Sequence, residues 1–212
     1  VGLRAFCELY AVARAVADTP HCLMAGDGAM RLARALGHQP FYSATDEARK
    51  NHAEMIGKLE SEKPAMPGVG NEEFLRYWNY AVPPAFRNRA ACDTVGAVAR
   101  DAGGHFAVAG STGGSAPSLL GRVGDTALVG SGYYAGPHGA IAATGVGEHI
   151  IRHMLARQVY QWIAEGMPLE RALQRGVDLI DKDVNIGLIG VTRTAQGACS
   201  NRDMPYAVVC HG

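Results

Sequence analysis

Four short stretches that set polar residues among glycines follow one another from the middle of the chain onward. They are Asp93-Thr94-Val95-Gly96, Ser111-Thr112-Gly113-Gly114, Gly121-Arg122-Val123-Gly124-Asp125 and Ala143-Thr144-Gly145-Val146-Gly147-Glu148. Glycine permits tight turns and close approach of backbones. We therefore expect each stretch to present a hydroxyl, guanidinium or carboxylate group at a bend. One such stretch would mean little, but four in this order are hard to explain by packing alone.

The first two stretches flank a predicted β-hairpin. Residues 94–99 and 105–109 are apolar and alternating, and Asp101-Ala102-Gly103-Gly104 between them has the residue types of a hairpin turn. Thr94 opens the first strand. Further short strands are predicted at residues 21–25, 128–132, 140–143, 187–192 and 207–209, with turns at 196–197 and 201–203.

Helices are predicted on both sides of these strands. The apolar spacing favours helices at residues 8–17, 29–36, 148–165 and 168–180, with a further possible helix at 45–61. Gly37 is expected to cap the second helix, and Pro168 suits the first turn of the last one. Residues 38–91 hold five prolines and weak periodicity, which indicates a long, partly ordered linker. Helices and strands in this order suit sheets stacked between helical layers.

Composition limits the class of protein and of partner. The 212 residues are 48% apolar and 19% charged, which is ordinary for one compact globular domain. Twenty basic residues balance twenty acidic ones, so no footprint for nucleic acid or an anionic membrane is visible. The five cysteines lack the spacing of a zinc site or a disulfide framework, which favours a reducing, cytoplasmic setting. A small neutral or zwitterionic ligand fits this balance.

With Thr19-Pro20-His21 and Gly26-Asp27-Gly28-Ala29 added, the motifs resemble the type 2 L-asparaginase, isoaspartyl peptidase and glycosylasparaginase family of N-terminal nucleophile hydrolases. The resemblance implies an α+β fold, a single domain built as a four-layer αββα sandwich. It implies self-cleavage between Asp93 and Thr94, giving an α segment, 1–93, and a β segment, 94–212, and a dimer of such αβ heterodimers. It implies no metal or organic cofactor. Family members begin with a glycine-rich strand and helix that precede Val1, so we expect that segment to be missing here.

The resemblance also assigns roles to the polar residues. Thr94 is the expected nucleophile; a threonine hydroxyl needs a base, which the α-amine freed by self-cleavage would supply. Thr112 is expected to hydrogen-bond Thr94, and Thr144 with Gly145 to form the oxyanion hole. Arg122 and Asp125 are expected to bind the substrate α-carboxylate and α-ammonium groups. Cys92 stands where many relatives carry histidine, and we expect only a changed rate of precursor cleavage.

The expected reaction is hydrolysis of a β-aspartyl amide, in L-asparagine or isoaspartyl dipeptides, to L-aspartate. Glycosylasparaginase activity is the alternative within the family, and a silent amino-acid-binding module is the alternative outside enzymes. Each motif also has a simpler interpretation. Thr94 is a β-branched residue that suits a strand, Arg122 and Asp125 are spaced for a surface ion pair, and the glycine turn at 145–147 could bind phosphate. His149 and His153, four apart on a helix, have the spacing of a metal pair without a third ligand.

Overall fold

The computed structural model of the protein describes residues 9–39, 45–59, 94–115, 118–119 and 121–210. Contacts between Cα atoms divide the chain into two compact units. The first unit comprises Val1–Asp93 and Gly113–Val123, and the second comprises Thr94–Thr112 and Gly124–Gly212. Asp93, Cys92 and most of the predicted linker lie outside the described residues.

The described residues of the first unit include the helices α1 (Leu9–Ala17), α2 (Gly26–Ala35) and α3 (Asp46–Leu59). Val12 of α1 packs with Ala29 and Ala33 of α2 in a small apolar cluster. Burial of Ala29 and Ala33 stabilises α2, although its first turn contains two glycines. The helix begins three residues before the predicted start at Ala29. The prediction of α1 is confirmed to within one residue at each end, and α3 is confirmed over Asp46–Leu59, while residues 60–61 of its predicted range lie outside the described residues.

The predicted strand at 21–25 is wrong. The hydroxyl group of Thr19 donates a hydrogen bond to the carbonyl of Val16 (2.7 Å) and accepts one from the amide of His21 (3.1 Å). This bonding turns the chain at the end of α1 and sends it into α2. Within residues 21–25 all side chains except Met24 are exposed, and none of these five residues forms a strand.

The second unit begins with the predicted hairpin, which is confirmed. Strands β1 (Thr94–Arg100) and β2 (Phe106–Thr112) pair antiparallel, with Thr94 opposite Thr112 and Gly96 opposite Gly110. One carboxylate oxygen of Asp101 accepts the amide of His105 (2.8 Å), and the other lies 2.9 Å from Nδ1 of the same histidine. These hydrogen bonds close the turn, and they lower the pKa of Asp101, the backbone bond most of all.

A four-stranded antiparallel sheet forms the centre of the second unit. Its strands follow in the order β3 (Tyr133–Gly136), β4 (Gly139–Gly145), β5 (Ile186–Thr192) and β6 (Gln196–Ser200). The predicted strands within β4 and β5 are confirmed. The strand predicted at 207–209 is wrong, because those residues form no ladder, and the turn predicted at 196–197 lies at the start of β6.

The strand predicted at 128–132 is also wrong. A 3-10 turn, Asp125–Ala127, is followed by a tight turn instead. Gly130 adopts a φ of +91°, outside the strand region. A Cβ atom on Gly132 would lie 2.5 Å from the carbonyl oxygen of Asp125. The strand predicted at 128–132 therefore falls where two glycines fold the chain back on itself.

Three helices of the second unit, α4 (Gly147–His153), α5 (Leu155–Ala164) and α6 (Leu169–Asp178), follow β4 in the chain. The predicted single helix over 148–165 is broken at Met154, which adopts a φ of +45°. The amides of Ala156 and Arg157 donate to the carbonyls of Ser131 (3.1 Å) and Gly130 (2.8 Å). Because these loop carbonyls take the first free amides of α5, the chain starts a new helix there.

Helices and hairpin lie on opposite faces of the four-stranded sheet. Helix α5 packs on β3 and β4, and α6 packs on β5 and β6. Ile141 and Leu188 of the sheet are fully buried against Leu155, Val159 and Leu173 of these helices. On the other face, a Cβ atom on Gly96 would lie 3.2 Å from Cβ of Ala142, so β1 packs closely on β4.

The second unit is thus built of three layers, in the order hairpin, sheet and helices. The mixed helix and sheet content agrees with the predicted α+β class. Within the described ranges, no helix is long and apolar enough to cross a bilayer.

Candidate active site

The two threonines of the hairpin make a direct contact. Thr94 and Thr112 are cross-strand partners, and their Oγ1 atoms lie 2.9 Å apart, so that either hydroxyl can donate to the other. Both residues are half-buried. Side chains two residues apart on a strand share a face, so Thr94 lies on the same face as Gly96, which packs against β4. The hydroxyl pair therefore stands at the end of the hairpin, on the side of the central sheet.

Thr144 and Gly145 end strand β4. Thr144 lies opposite Gly187 of β5, and it shares the face of β4 that carries Ala142, the residue packed against the hairpin. Gly145 adopts a φ of +142°, and a Cβ atom there would lie 2.3 Å from the carbonyl oxygen of Asn185. Both the conformation and the close backbone contact require glycine at this position. The chain then turns directly into α4.

The 3-10 turn brings Asp125 to the hairpin. The methyl group of Thr126 lies 3.1 Å from the position of a Cβ atom on Gly110, two residues before Thr112 in β2. Asp125 is 7% exposed, and its backbone carbonyl accepts the amides of Leu128 (2.8 Å) and Gly132 (3.1 Å). Asp125 is therefore buried beside the hairpin, at the turn that precedes Gly132.

Gly132 links the Asp125 turn to the central sheet, a role that the sequence pattern did not indicate. Its amide donates to the carbonyl of Asp125, and its own carbonyl accepts the amide of Ala143 (2.8 Å). Ala143 directly precedes Thr144. Hydrogen bonds through Gly132 thus connect the two predicted site segments, although a glycine in a turn gives no sequence signal of such a contact.

Two of the predicted site residues are not placed against the others. Arg122 belongs to the first unit, where it is half-buried and its amide donates to the carbonyl of Leu119 (3.1 Å). Asp93 lies outside the described residues. The roles assigned to all of the predicted site residues, the arginine half of the substrate clamp and the bond proposed to be cut included, stay predictions.

The two histidines of α4 contact each other within the helix. Nδ1 of His153 lies 2.9 Å from the carbonyl oxygen of His149, a contact within one helical turn. Across the described ranges, no group of three or more His, Cys, Asp or Glu side chains could hold a metal ion.

Comparison with known proteins identifies relatives over nearly the whole chain. A family model described as Asparaginase matches residues 8–211. The isoaspartyl peptidase/L-asparaginase of Mus musculus is 34% identical over 92% of this chain and 55% of its own length. Plant-type L-asparaginases from Pyrobaculum calidifontis and Pyrococcus abyssi are 35% and 33% identical; they match 89% and 95% of this chain, and 59% and 64% of their own lengths. The chain spans less than two thirds of the length of each of these relatives.

Proposed function

Because the chain belongs to the asparaginase family, we propose that it is a threonine amidohydrolase that hydrolyses β-aspartyl amide bonds and releases L-aspartate. The observation that carries this proposal is the hydroxyl pair of Thr94 and Thr112, 2.9 Å apart at the start of β1. A strand-opening threonine has no need of a second hydroxyl directly opposite. A nucleophile gains from one, because a hydroxyl donor stabilises the negative charge that its oxygen acquires when its proton leaves.

The nucleophile is produced by scission of the bond between Asp93 and Thr94. The freed α-amine of Thr94 titrates near pH ~7.7 to 8.0 in unperturbed form, so a usable fraction is neutral and can take the proton from Oγ1. Oγ1 then attacks the side-chain carbonyl carbon of the substrate. The carbon–nitrogen bond breaks, the leaving amine takes up the proton, and water hydrolyses the resulting ester to aspartate and free Thr94. The hydroxyl of Thr112 donates to Oγ1 as its charge develops.

The oxyanion formed in this attack is bound by the hydroxyl of Thr144 and the amide of Gly145. Support for this role comes from the fixed conformation of Gly145, whose positive φ and contact with Asn185 leave it little freedom. Donors that are fixed before the reaction stabilise a developing charge without reorganisation, and that is the main contribution of an oxyanion hole.

The substrate is held by its α-amino and α-carboxylate groups. The buried carboxylate of Asp125 receives the α-ammonium group, and Arg122 receives the α-carboxylate through paired donors. These contacts recognise the aspartyl part that asparagine, isoaspartyl dipeptides and glycosylated asparagine share, so they do not distinguish these three substrates. The relatives named isoaspartyl peptidase/L-asparaginase and plant-type L-asparaginase favour the first two substrates; glycosylasparaginase activity is the second candidate.

The same family relationship supports the remaining parts of the proposal. The fold is a single N-terminal nucleophile hydrolase domain of the four-layer αββα type, and the three layers of the second unit are compatible with it. The processed protein assembles as a dimer of αβ heterodimers and works in the cytoplasm, without metal or organic cofactor.

Denaturing mass spectrometry with a substrate panel tests the proposal. The purified protein should yield two fragments, one of which begins at Thr94, and should release ammonia and aspartate from L-asparagine and aspartate from β-aspartyl dipeptides. Thr94→Ala should abolish both cleavage and hydrolysis. Hydrolysis retained by that variant would show that another group is the nucleophile. A single intact wild-type species that binds aspartate but hydrolyses none of the panel would favour the silent binding module.

A further inference from the structure

The side chain of Asn201 bridges two backbone groups on either side of residue 185. Its Nδ2 atom donates to the carbonyl of Val184 (2.7 Å), and its Oδ1 atom accepts the amide of Ile186 (3.0 Å). The backbone amide of Asn201 adds a third bond, to the carbonyl of Ile186 (3.2 Å). Asn201 directly follows β6, so its amide group extends the ladder between β5 and β6 past the last paired residue.

The carbonyl of Asn185, between these two anchored residues, contacts the end of β4. It accepts the amide of Val146 (3.1 Å), and it is the atom that a Cβ on Gly145 would meet at 2.3 Å. Residue 185 therefore limits the backbone of residues 145 and 146 on the side of β5. A shift of a few tenths of an ångström at residue 185 must move either this hydrogen bond or the Gly145 backbone, because no space separates them.

We propose that Asn201 is a positioning residue for the oxyanion hole, acting through the carbonyl of Asn185 on the backbone that follows Thr144. The inference rests on the proposed function of Thr144 and Gly145. The hydrogen bonds of Asn201 hold the backbone at the start of β5 in place. The start of β5 in turn holds the backbone of residues 145 and 146, which positions the donors to the oxyanion. Since an oxyanion exists only in the reaction, loss of this support lowers kcat and leaves substrate binding nearly unchanged.

Ser200 provides a matched control. It precedes Asn201 at the same strand end, and its hydroxyl donates to the carbonyl of Ile186 (2.9 Å). The same hydroxyl accepts the amide of Arg202 (3.1 Å). Of the two described residues Ser200 and Asn201, only Asn201 bonds the carbonyl of Val184, so Ser200→Ala removes hydrogen bonds at this strand end and leaves the bond before residue 185 in place. If the hydrogen bonds at this strand end had only a structural role, Ser200→Ala and Asn201→Ala would have the same effect on kcat.

The kinetic test compares Asn201→Ala and Ser200→Ala in the processed protein, with L-asparagine as substrate and activity normalised to the amount of Thr94 N-terminus. Removal of one oxyanion donor lowers kcat by about 10²–10³-fold, so displacement of the donors in Asn201→Ala should lower kcat by roughly 10–100-fold. KM should stay within about twofold, and Ser200→Ala should keep the wild-type kcat. Equal kcat values in the two variants would overturn the inference.

A second readout does not depend on activity. Amide hydrogen exchange at Val146, taken relative to Ile141 in the middle of β4, reports whether the bond to Asn185 persists. Protection of Val146 should fall by about tenfold or more in Asn201→Ala, in line with the loss of one hydrogen bond and its support, and should be unchanged in Ser200→Ala. Unchanged protection in Asn201→Ala would refute the positioning role.

Two further outcomes separate this inference from the proposed function. An inert wild-type protein whose Val146 protection still depends on Asn201 would refute the proposed function and support the positioning of residues 145 and 146. An active enzyme that is insensitive to Asn201→Ala would refute the inference alone. If Asn201→Ala does not fold, Asn201→Asp carries the same test, because it keeps the acceptor for Ile186 and loses the donor to Val184.

Discussion

Thr112→Val tests whether the threonine pair serves the reaction or only the hairpin. Valine has nearly the shape of threonine and suits a strand, so the substitution removes the hydroxyl group of residue 112, with its hydrogen bond to Thr94, and keeps the shape of the side chain. The lost bond joins two neutral hydroxyls at half-buried positions. Such a bond contributes about 0.5–1.5 kcal/mol to stability, and water can replace it here. The free energy of unfolding should therefore fall by about 1 kcal/mol or less.

On the proposed mechanism the effect on catalysis should be larger, because Oγ1 of Thr94 gains negative charge as its proton leaves. A hydrogen bond to a charged group contributes about 1.5–3 kcal/mol. At about 1.36 kcal/mol per decade, kcat/KM for L-asparagine should fall by roughly 10–150-fold. The assay measures aspartate release per Thr94 N-terminus, together with urea unfolding of the same preparation.

Thr192→Val is the matched control. Thr192 is also half-buried at a strand end, and its hydroxyl donates to the carbonyl of Ala195 (3.2 Å) and accepts the amide of the same residue (3.1 Å). It lies six residues along β5 from Ile186, roughly 20 Å from the Gly145 end of the sheet at ~3.3 Å per residue. It should lose similar stability and keep full kcat/KM. If Thr112→Val reduces kcat/KM no more than this control does, the hydroxyl pair has no part in the reaction.

Three further predictions follow from individual positions. Gly145→Ala should lower the free energy of unfolding by roughly 2–4 kcal/mol in denaturant titrations, because positive φ and the 2.3 Å contact with Asn185 add strain and overpacking; stability equal to wild type would show that the turn is free to move. Asp125→Asn, at a side chain 7% exposed, should raise KM for L-asparagine by about 10–100-fold with little change for succinamate, which lacks the α-ammonium group; equal effects on both substrates would remove the ammonium-binding role. The pKa of Asp101 is lowered in the folded state, chiefly by the backbone hydrogen bond of His105, so its stabilising contribution is present above the unfolded pKa of about 3.9 and is lost as pH falls through the lower folded value. Asp101→Asn should therefore lower Tm at pH 7 and match the wild type at a pH below both values, and a Tm difference that persists in acid would contradict this assignment.

Local sequence signals predicted the elements whose contacts are local. The hairpin followed from its apolar strands and from Asp101-Ala102-Gly103-Gly104, because a turn residue and its partner lie within five positions of each other. Helix α6 followed from one apolar stripe. The contact between Thr94 and Thr112 was expected from the family resemblance, and the structure adds the strand register that places the two residues opposite each other.

The errors fall where a distant segment decides the local conformation. Nothing near Met154 indicates a helix break; the carbonyls of Gly130 and Ser131, more than twenty residues earlier, create it by accepting the first amides of α5. The apolar run before Gly130 favoured a strand, but contact between Gly132 and the Asp125 backbone folds it into a turn.

The sequence alone thus identified the residues that carry hydroxyl, amide and carboxylate groups. It also identified the glycines that allow these residues to lie at bends of the chain. Only the tertiary structure decided what surrounds those bends. The carbonyl of Asn185 accepts the amide of Val146, and the side chain of Asn201 bonds to the backbone of the residues on either side of Asn185. Both contacts join segments that are far apart in the chain. The physical reason is that propensity reports the preference of a few neighbouring residues, whereas a hydrogen bond between distant segments depends on where the rest of the fold places both partners.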